Sequence, residues 1–352
     1  VYDNIYVLCQ PNLQDQWQYP ANVTLIKNGG DNVVSVKEQA RLSTIKKIML
    51  FLSFTHKLLM LIKKHKVHTV LVYDPLPLFA YFIGSHFGKK PPIVWYHNHD
   101  VNEEGGKKSI GGFAARFERS SFEKLDIFSL PADERKQYFP MSAFKGTYFF
   151  IPNYPSVHFY GKFAKHNEPH SDLKLIYQGS ISKGHGLEEL ITYISQTTRN
   201  ISFTLIGNVL DGYKAELSEL KQRLGVDDKV QFLAPVNYTQ LPLITMQHNV
   251  GIAIHTPHNL IYATGGTASN KIYEYAAVHL PVLYFDSSHY REFLGSYKWA
   301  FATDMSFKSL DQHFDYITLH LKSLSEAAYL DFSEKLNFEN VFSSTRGYLL
   351  SH

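Results

Sequence analysis

From Leu173 to Phe285 short apolar runs alternate with helix-period patterns, and that alternation confines the second half of the chain to βα units laid on a parallel sheet. Leu173-Lys174-Leu175-Ile176-Tyr177 reads as a strand and Gly179 to Gly186 as a glycine-rich turn. Leu187, Leu190, Ile191 and Ile194 follow at i, i+3, i+4 and i+7, the spacing of one helix face. Ile201 to Ile206 is the next strand, closed by Gly207-Asn208, and Leu217, Leu220 and Leu224 mark a helix that stops near Gly225. Two further strands, Val230 to Leu233 and Val250 to Ile254, flank a short helical stretch around Leu241 to Gln247. A loop containing Gly265-Gly266-Thr267 leads into a helix from about Ser269 to His279, and Pro281 to Phe285 is the last clear strand. Strands this uniformly apolar are buried on both faces.

The first half repeats the pattern less regularly. Ile5 to Leu8, Val23 to Ile26, Thr69 to Tyr73, Ile93 to Tyr96, Ile127 to Leu130 and Phe149 to Ile151 read as strands of one sheet. The third and fourth end in Asp74-Pro75 and His97-Asn98-His99-Asp100. At 352 residues the chain exceeds the roughly 100–200 of one domain, so two Rossmann-like, doubly wound α/β domains are expected. Pro152-Asn153-Tyr154-Pro155, with polar residues on to Asp172, is the best linker and divides the chain into domains at 1–152 and 153–328. Gln10 to Tyr19 shows no helical periodicity where a doubly wound domain places its first helix. Either an N-terminal segment is missing or an unusual loop replaces the opening βα unit.

A net charge of +3 is too small to argue for nucleic acid, and none is expected as a partner. The single cysteine, Cys9, forms no internal disulfide, and the chain opens without a signal-like apolar run, so a cytoplasmic setting is the simplest expectation. Charge is nevertheless uneven. Between Glu38 and Asp74 there is no acidic residue, while Arg41, Lys46, Lys47, Lys57, Lys63, Lys64 and Lys66 surround the apolar runs Ile48 to Leu52 and Leu58 to Ile62. A spanning helix needs about 20 apolar residues, and His56-Lys57 interrupts this one. The segment from Arg41 to Lys66 is either a packed helix with a solvated basic edge or a peripheral surface for anionic lipid.

Ligands of open parallel sheets bind at the carboxyl ends of the strands, and the chemistry-bearing residues fall there. Gly179-Ser180-Ile181-Ser182-Lys183-Gly184-His185-Gly186 joins glycines that admit a ligand to the backbone, a lysine and a helix N-terminus, which suits a phosphate or diphosphate. Glycines also close tight turns, so the segment alone is weak. In Gly265-Gly266-Thr267-Ala268-Ser269-Asn270-Lys271-Ile272-Tyr273-Glu274, Ser269 or Thr267 can cap the helix. Glu274 offers two acceptor oxygens to a hydroxyl pair, or is a surface carboxylate paired with Lys271. His97 and His99 could contribute to a metal site but lack partners from later strand ends, and a structural role is the other reading.

Taken in order, Tyr177-Gln178-Gly179, Gly186-Leu187-Glu188-Glu189-Leu190-Ile191, Leu205-Ile206-Gly207, Asn270-Lys271-Ile272-Tyr273-Glu274-Tyr275-Ala276 and Leu280-Pro281-Val282 resemble glycosyltransferase family 4. The likeness covers nearly all of the second half; in the first it rests on Trp95 to Asp100 and Ile151-Pro152-Asn153. It implies a GT-B fold, with two domains facing across a cleft and a C-terminal helix over 329–352 that crosses back to the first domain. It implies a retaining, metal-independent and cofactor-free hexosyl transfer from a nucleotide-diphosphate sugar to a glycan or lipid-linked acceptor, as in polysaccharide biosynthesis. Lys183 would neutralise the donor diphosphate, helped by the amides of Gly265, Gly266, Thr267 and Ala268, and Glu274 would hold the ribose. Gly179, Ser180, His185, Gly207, Asn208 and Lys271 complete the expected donor site, and His99 would lie near the transferred sugar. Ser180 stands where many members carry arginine, His185 where a subgroup does, and Gly266 where a carboxylate is usual. A non-catalytic subunit and a nucleotide-sugar epimerase on the same scaffold are the alternatives. Donor base, donor sugar and acceptor are not legible.

Overall fold

The computed structural model describes residues 2–10, 19–29, 42–86, 93–101, 110–163, 172–209, 212–257 and 260–352. Most of the Gln10 to Tyr19 segment, together with Glu38 and Arg41, lies outside them. The chain divides into two compact units, residues 1–151 with 345–352, and residues 152–344.

In the first unit β1 (Ile5–Cys9) pairs in parallel with β2 (Val23–Lys27). Helix α1 (Thr44–His65) starts at Ser43, whose hydroxyl accepts the Lys46 N–H, and stops at Lys66 in the left-handed conformation. Then come β3 (Thr69–Tyr73), α2 (Pro75–Ser85), β4 (Ile93–His97), α3 (Ile110–Ser121), β5 (Ile127–Leu130) and β6 (Thr147–Phe150). Strands β3 to β6 form a parallel sheet in chain order. The single sheet expected for this half is therefore two, because among the described residues β1 and β2 form ladder bonds only with each other. A side-chain bond from Tyr2 OH to Thr69 Oγ1 (2.7 Å) ties this pair to β3.

Helix α3 docks on β4 through polar groups. Tyr96 OH donates to Glu118 Oε1, and Asn98 Nδ2 donates both to Tyr96 OH (2.9 Å) and to Glu118 Oε1 (3.0 Å). All three residues are buried, and burial pushes the Glu118 carboxyl up to about 7. On β4, buried His97 places Nδ1 2.9 Å from Ser129 Oγ, which also accepts the Trp95 indole N–H at 2.7 Å. Burial, aided by neighbouring His99, pulls His97 down to about 4.

The second unit carries β7 (Leu173–Gln178), α4 (Leu187–Gln196), β8 (Ile201–Ile206), α5 (Tyr213–Arg223), β9 (Val230–Leu233), β10 (Val250–Ala253), α6 (Asn270–Ala277), β11 (Val282–Phe285), β12 (Ala300–Thr303), α7 (Phe307–Glu334) and α8 (Phe338–Ser351). Its six strands are parallel in the order β12-β11-β10-β7-β8-β9, which puts the topological switch between β7 and β10. Leu175, Phe203, Leu205 and Ile252 anchor the core on one face of this sheet, with Leu190 and Ile194 of α4 packed among them. Ile176, Ile206, Ala253 and Val282 anchor the other, against Ile272, Tyr275 and Ala276 of α6. Residue 328, the expected domain end, falls within the continuous α7, and α8 carries the chain into the first unit, where Tyr348 meets the Phe149 ring at 5.5 Å.

Helix α6 is seated by a missing side chain. A Cβ on Gly251 would lie 2.3 Å from the Tyr275 ring, so the β10 backbone and that ring share one space. Gly251→Ala must displace the ring and should cost about 1–3 kcal/mol, read as a lower urea midpoint with an unchanged slope.

The first unit yields a pH prediction. Glu118 is protonated when folded and ionised when unfolded between 4.5 and about 7, so its contribution to stability falls as pH rises through that window. His97 binds its proton only when unfolded between about 4 and 6.5, so its contribution rises with pH there. The two slopes oppose, each worth about 3 kcal/mol. Glu118→Gln should leave the His97 slope exposed, and urea midpoints from pH 4 to 8 should climb in the variant where the wild type is flatter.

Candidate functional site

The turn after β7 begins with Gly179 at φ +119°, and Gly207, at φ +143°, ends β8 beside it. A Cβ on Gly207 would sit 1.9 Å from the Gly179 carbonyl oxygen, so the two strand-end turns touch backbone to backbone. Ile181 N–H donates to the Asn208 carbonyl (2.8 Å), which commits that group to the turn itself. The Thr256 N–H and hydroxyl both donate to the Gly184 carbonyl (2.9 and 3.1 Å), fastening the turn to the end of β10. Gly179 and Ser180 are left as an exposed lip.

The candidate cations occupy different surroundings. The Lys183 side chain is 68% exposed, and its ammonium lies 2.7 Å from Glu216 Oε2 on α5, which raises its pKa. Lys271, in the first turn of α6, donates to Tyr177 OH at 2.9 Å, with Nζ 4.1 Å from the centre of that ring. Burial pulls Lys271 down to about 7, and Glu274 pushes the other way. His185 is buried, stacked on Tyr177 with Nδ1 2.6 Å from its hydroxyl and Nε2 3.2 Å from Tyr262 OH. The imidazole is thus behind the turn, enclosed by Tyr177, Tyr262 and His255.

Glu274 is buried and makes no ion pair with Lys271, so the surface-pair reading of these two is incorrect. Its Oε2 accepts from Gln178 Nε2 (2.6 Å) and its Oε1 from Tyr238 OH (2.9 Å). Thr245 Oγ1 donates to Gln178 Oε1 (2.8 Å), and Tyr160 OH to Tyr238 OH (3.1 Å), so both contacts are oriented from behind. Burial raises the Glu274 pKa; Tyr238, Gln178 and Lys271 oppose the shift. A carboxylate oxygen has lone pairs for more than one donor, so each retains acceptor capacity.

The loop before α6 is held from both sides. Asn153 N–H donates to the Thr267 carbonyl (3.1 Å) and its Nδ2 to the Ala268 carbonyl (2.8 Å). The Gly266 N–H donates to His289 Nε2 (3.1 Å), so this amide is already engaged, unlike the open phosphate donor expected of it. A Cβ at Gly266 would meet Phe293 at 2.8 Å and His289 Nε2 at 3.0 Å: aromatic groups fill the place where a carboxylate is usual. Ser269 stands at the N-cap of α6 but makes no side-chain cap bond, contrary to the expected capping role. Gln178, Tyr238, Thr245 and His289 are site residues that the sequence analysis did not assign; only Gln178 stood inside a quoted motif.

In the first unit, half-buried His99 lies two residues beyond β4 with its backbone fixed twice: its N–H donates to Asp74 Oδ1 (3.0 Å) and its carbonyl accepts from Arg135 Nη1 (2.6 Å). The His97 and His99 rings are 6.3 Å apart, and among the described residues no three His, Cys, Asp or Glu side chains are grouped to hold a metal ion.

Residues 161–326 match the family described as glycosyl transferases group 1. No curated protein matches the chain in sequence. Among solved structures, HepE of Anabaena, in complex with UDP and glucose, aligns at 15% identity and TM-score 0.64 over 94% of this chain and 86% of its own. Sucrose-phosphate synthase of Thermosynechococcus elongatus aligns at 13% and 0.67 over 99% and 88%, and a glycosyltransferase of Rickettsia africae at 13% and 0.66 over 93% and 89%. At such identities these likenesses speak to the fold, and the group 1 match speaks to the second unit. Residues 161–326 of that unit are a glycosyl transferases group 1 domain, and the chain has a GT-B fold.

Proposed function

We propose that the chain transfers a hexosyl group, with retention, from a UDP-sugar to a glycan or lipid-linked acceptor. The observation that carries this reading is Glu274, a buried carboxylate with spare acceptor capacity beside an exposed glycine turn at the switch point of a group 1 domain. Such a carboxylate suits the two hydroxyls of a ribose. UDP and glucose in the HepE complex and UDP-glucose in another HepE complex favour uridine as the base.

The step breaks the bond between the sugar and the diphosphate. Negative charge develops on the departing diphosphate while the sugar gains positive character. No metal ion is called on: Lys183 and the N-termini of α4 and α6 meet the charge, with Gly179, Ser180 and the N–H groups of Gly265, Thr267 and Ala268 as the backbone contacts. An exposed ion pair is weak, so Lys183 can leave Glu216 for a diphosphate. Gly207 and Asn208 shape the turn, and His99 is the first-unit residue assigned to the sugar. Ser180 and Gly266 also favour a second reading, a donor-binding subunit without transfer.

On the first unit, α1 exposes Ile45, Ile48, Met49, Leu52 and Met60, and Lys46, Lys47, Lys63 and Lys64 share the helix. No described helix is long and apolar enough to cross a membrane. This face is proposed as a peripheral contact with anionic lipid, consistent with a lipid-linked acceptor.

Thermal unfolding of the chain should shift upward with UDP or UDP-glucose and less with GDP-mannose. Lys183→Ala should lower turnover at least tenfold with an unchanged melting temperature, whereas a donor-binding subunit would show neither transfer nor hydrolysis in the wild type. Flotation with vesicles containing anionic lipid should recover the wild type, and Met49→Glu with Leu52→Glu should abolish recovery while leaving activity on a soluble acceptor intact.

A further inference from the structure

Lys271 sits where an incoming anion would meet it. A Cβ on Gly179 would lie 3.6 Å from its Nζ, an ordinary contact distance, so the amine stands directly against the exposed lip formed by Gly179 and Ser180. Behind the amine, Tyr177 OH contacts three groups: Lys271 Nζ (2.9 Å), the Ser180 carbonyl (2.7 Å) and His185 Nδ1 (2.6 Å). A phenol has one proton to give and lone pairs to accept. With Lys271 protonated, the ammonium donates to Tyr177 and the phenol proton goes to Ser180 or His185. With Lys271 neutral, the same phenol can donate to the amine. The network therefore accommodates both states of the lysine without rearrangement.

We propose that Lys271 is the proton-accepting cation of the donor site, taking up a proton from solvent when a diphosphate binds at the glycine lip. The proposal rests on the donor reading above. In balance, one amine, one solvent proton and the bound diphosphate give one ammonium paired with the diphosphate, and no covalent bond changes.

The surroundings agree. Facing Lys271 are Tyr177 from β7, His185 from the turn with Tyr262 and His255 beyond it, and Glu274 from its own helix. Glu274 is the one carboxylate among them, and its oxygens are held by the neutral donors Gln178 and Tyr238 rather than by the amine. Lys183 is engaged with Glu216. Burial without a direct anionic partner holds Lys271 down at about 7, and an adjacent diphosphate would restore the charged form.

The test is calorimetric titration of the full chain with UDP-glucose, whose diphosphate does not itself titrate near neutrality, in two buffers of different ionisation enthalpy. At pH 7.5 the wild type should take up a substantial fraction of one proton per site, and clearly less at pH 6. Lys271→Arg, charged throughout, should still bind UDP-glucose but with no uptake, and Lys271→Met should bind at least tenfold more weakly, also without uptake. Binding by the wild type with no proton uptake at pH 7.5 overturns the proposal, as does uptake that persists in Lys271→Arg, which would place the proton on His185. Failure of the wild type to bind UDP-glucose, GDP-mannose and dTDP-glucose alike would remove the donor reading itself.

Discussion

The second unit depends on a single tyrosine hydroxyl at the place where its sheet divides. Strand β7 is laddered to β8 over six residue pairs but to β10 over only two, Val250 with Leu175 and Gly251 with Ile176. Beyond them the strands part, and buried main-chain groups there need other partners. Tyr275 OH supplies them: it accepts the Gln178 N–H at 2.9 Å and lies 3.2 and 3.3 Å from the carbonyls of Ile176 and Ile252. With its ring against Gly251, the side chain fixes α6 in position along both strands. Glu274 is its chain neighbour and Lys271 stands one turn earlier, so both functional groups inherit that registration.

Charge in this region is managed by dilution rather than by pairing. A buried ion pair between Lys271 and Glu274 would cost desolvation of both partners and would leave neither free for a ligand. Instead the carboxylate is held by an amide and a phenol, and the lysine by the face and hydroxyl of Tyr177. Each partner is neutral, so neither cancels the charge a ligand would read. The same device appears in the first unit, where Glu118 is held by Tyr96 and Asn98.

The strands of the second half were legible because they are buried and apolar throughout, and Glu274 and the glycine turn were legible because they lie in contiguous motifs. What escaped was short, or assembled from distant segments. Strand β12, Ala300-Phe301-Ala302-Thr303, is a half-buried edge strand whose two alanines give it no apolar run. Tyr238, Thr245 and His289 lie outside the motifs and meet the site only through folding. The break between α7 and α8 carries no glycine or proline; Asn337 makes it, donating to the carbonyls of Phe332 and Ser333 while its Oδ1 accepts the Asn340 N–H.

Glycine is where sequence reasoning most easily assigns too much to ligands. Gly179 holds a φ of +119° beside Lys271 on an exposed lip open to a ligand. Gly207 and Gly266 are required by the protein alone, the first by the carbonyl of Gly179 and the second by Phe293 and His289. Gly266 carries a further consequence for the sugar end of the site. Restoring a carboxylate there would demand displacement of both rings, so the aromatic wall and the missing carboxylate are one structural choice. Under the proposed transfer, a donor sugar would meet imidazole and phenyl groups where a carboxylate would otherwise accept its hydroxyls, and contacts of that kind depend on the sugar's apolar face.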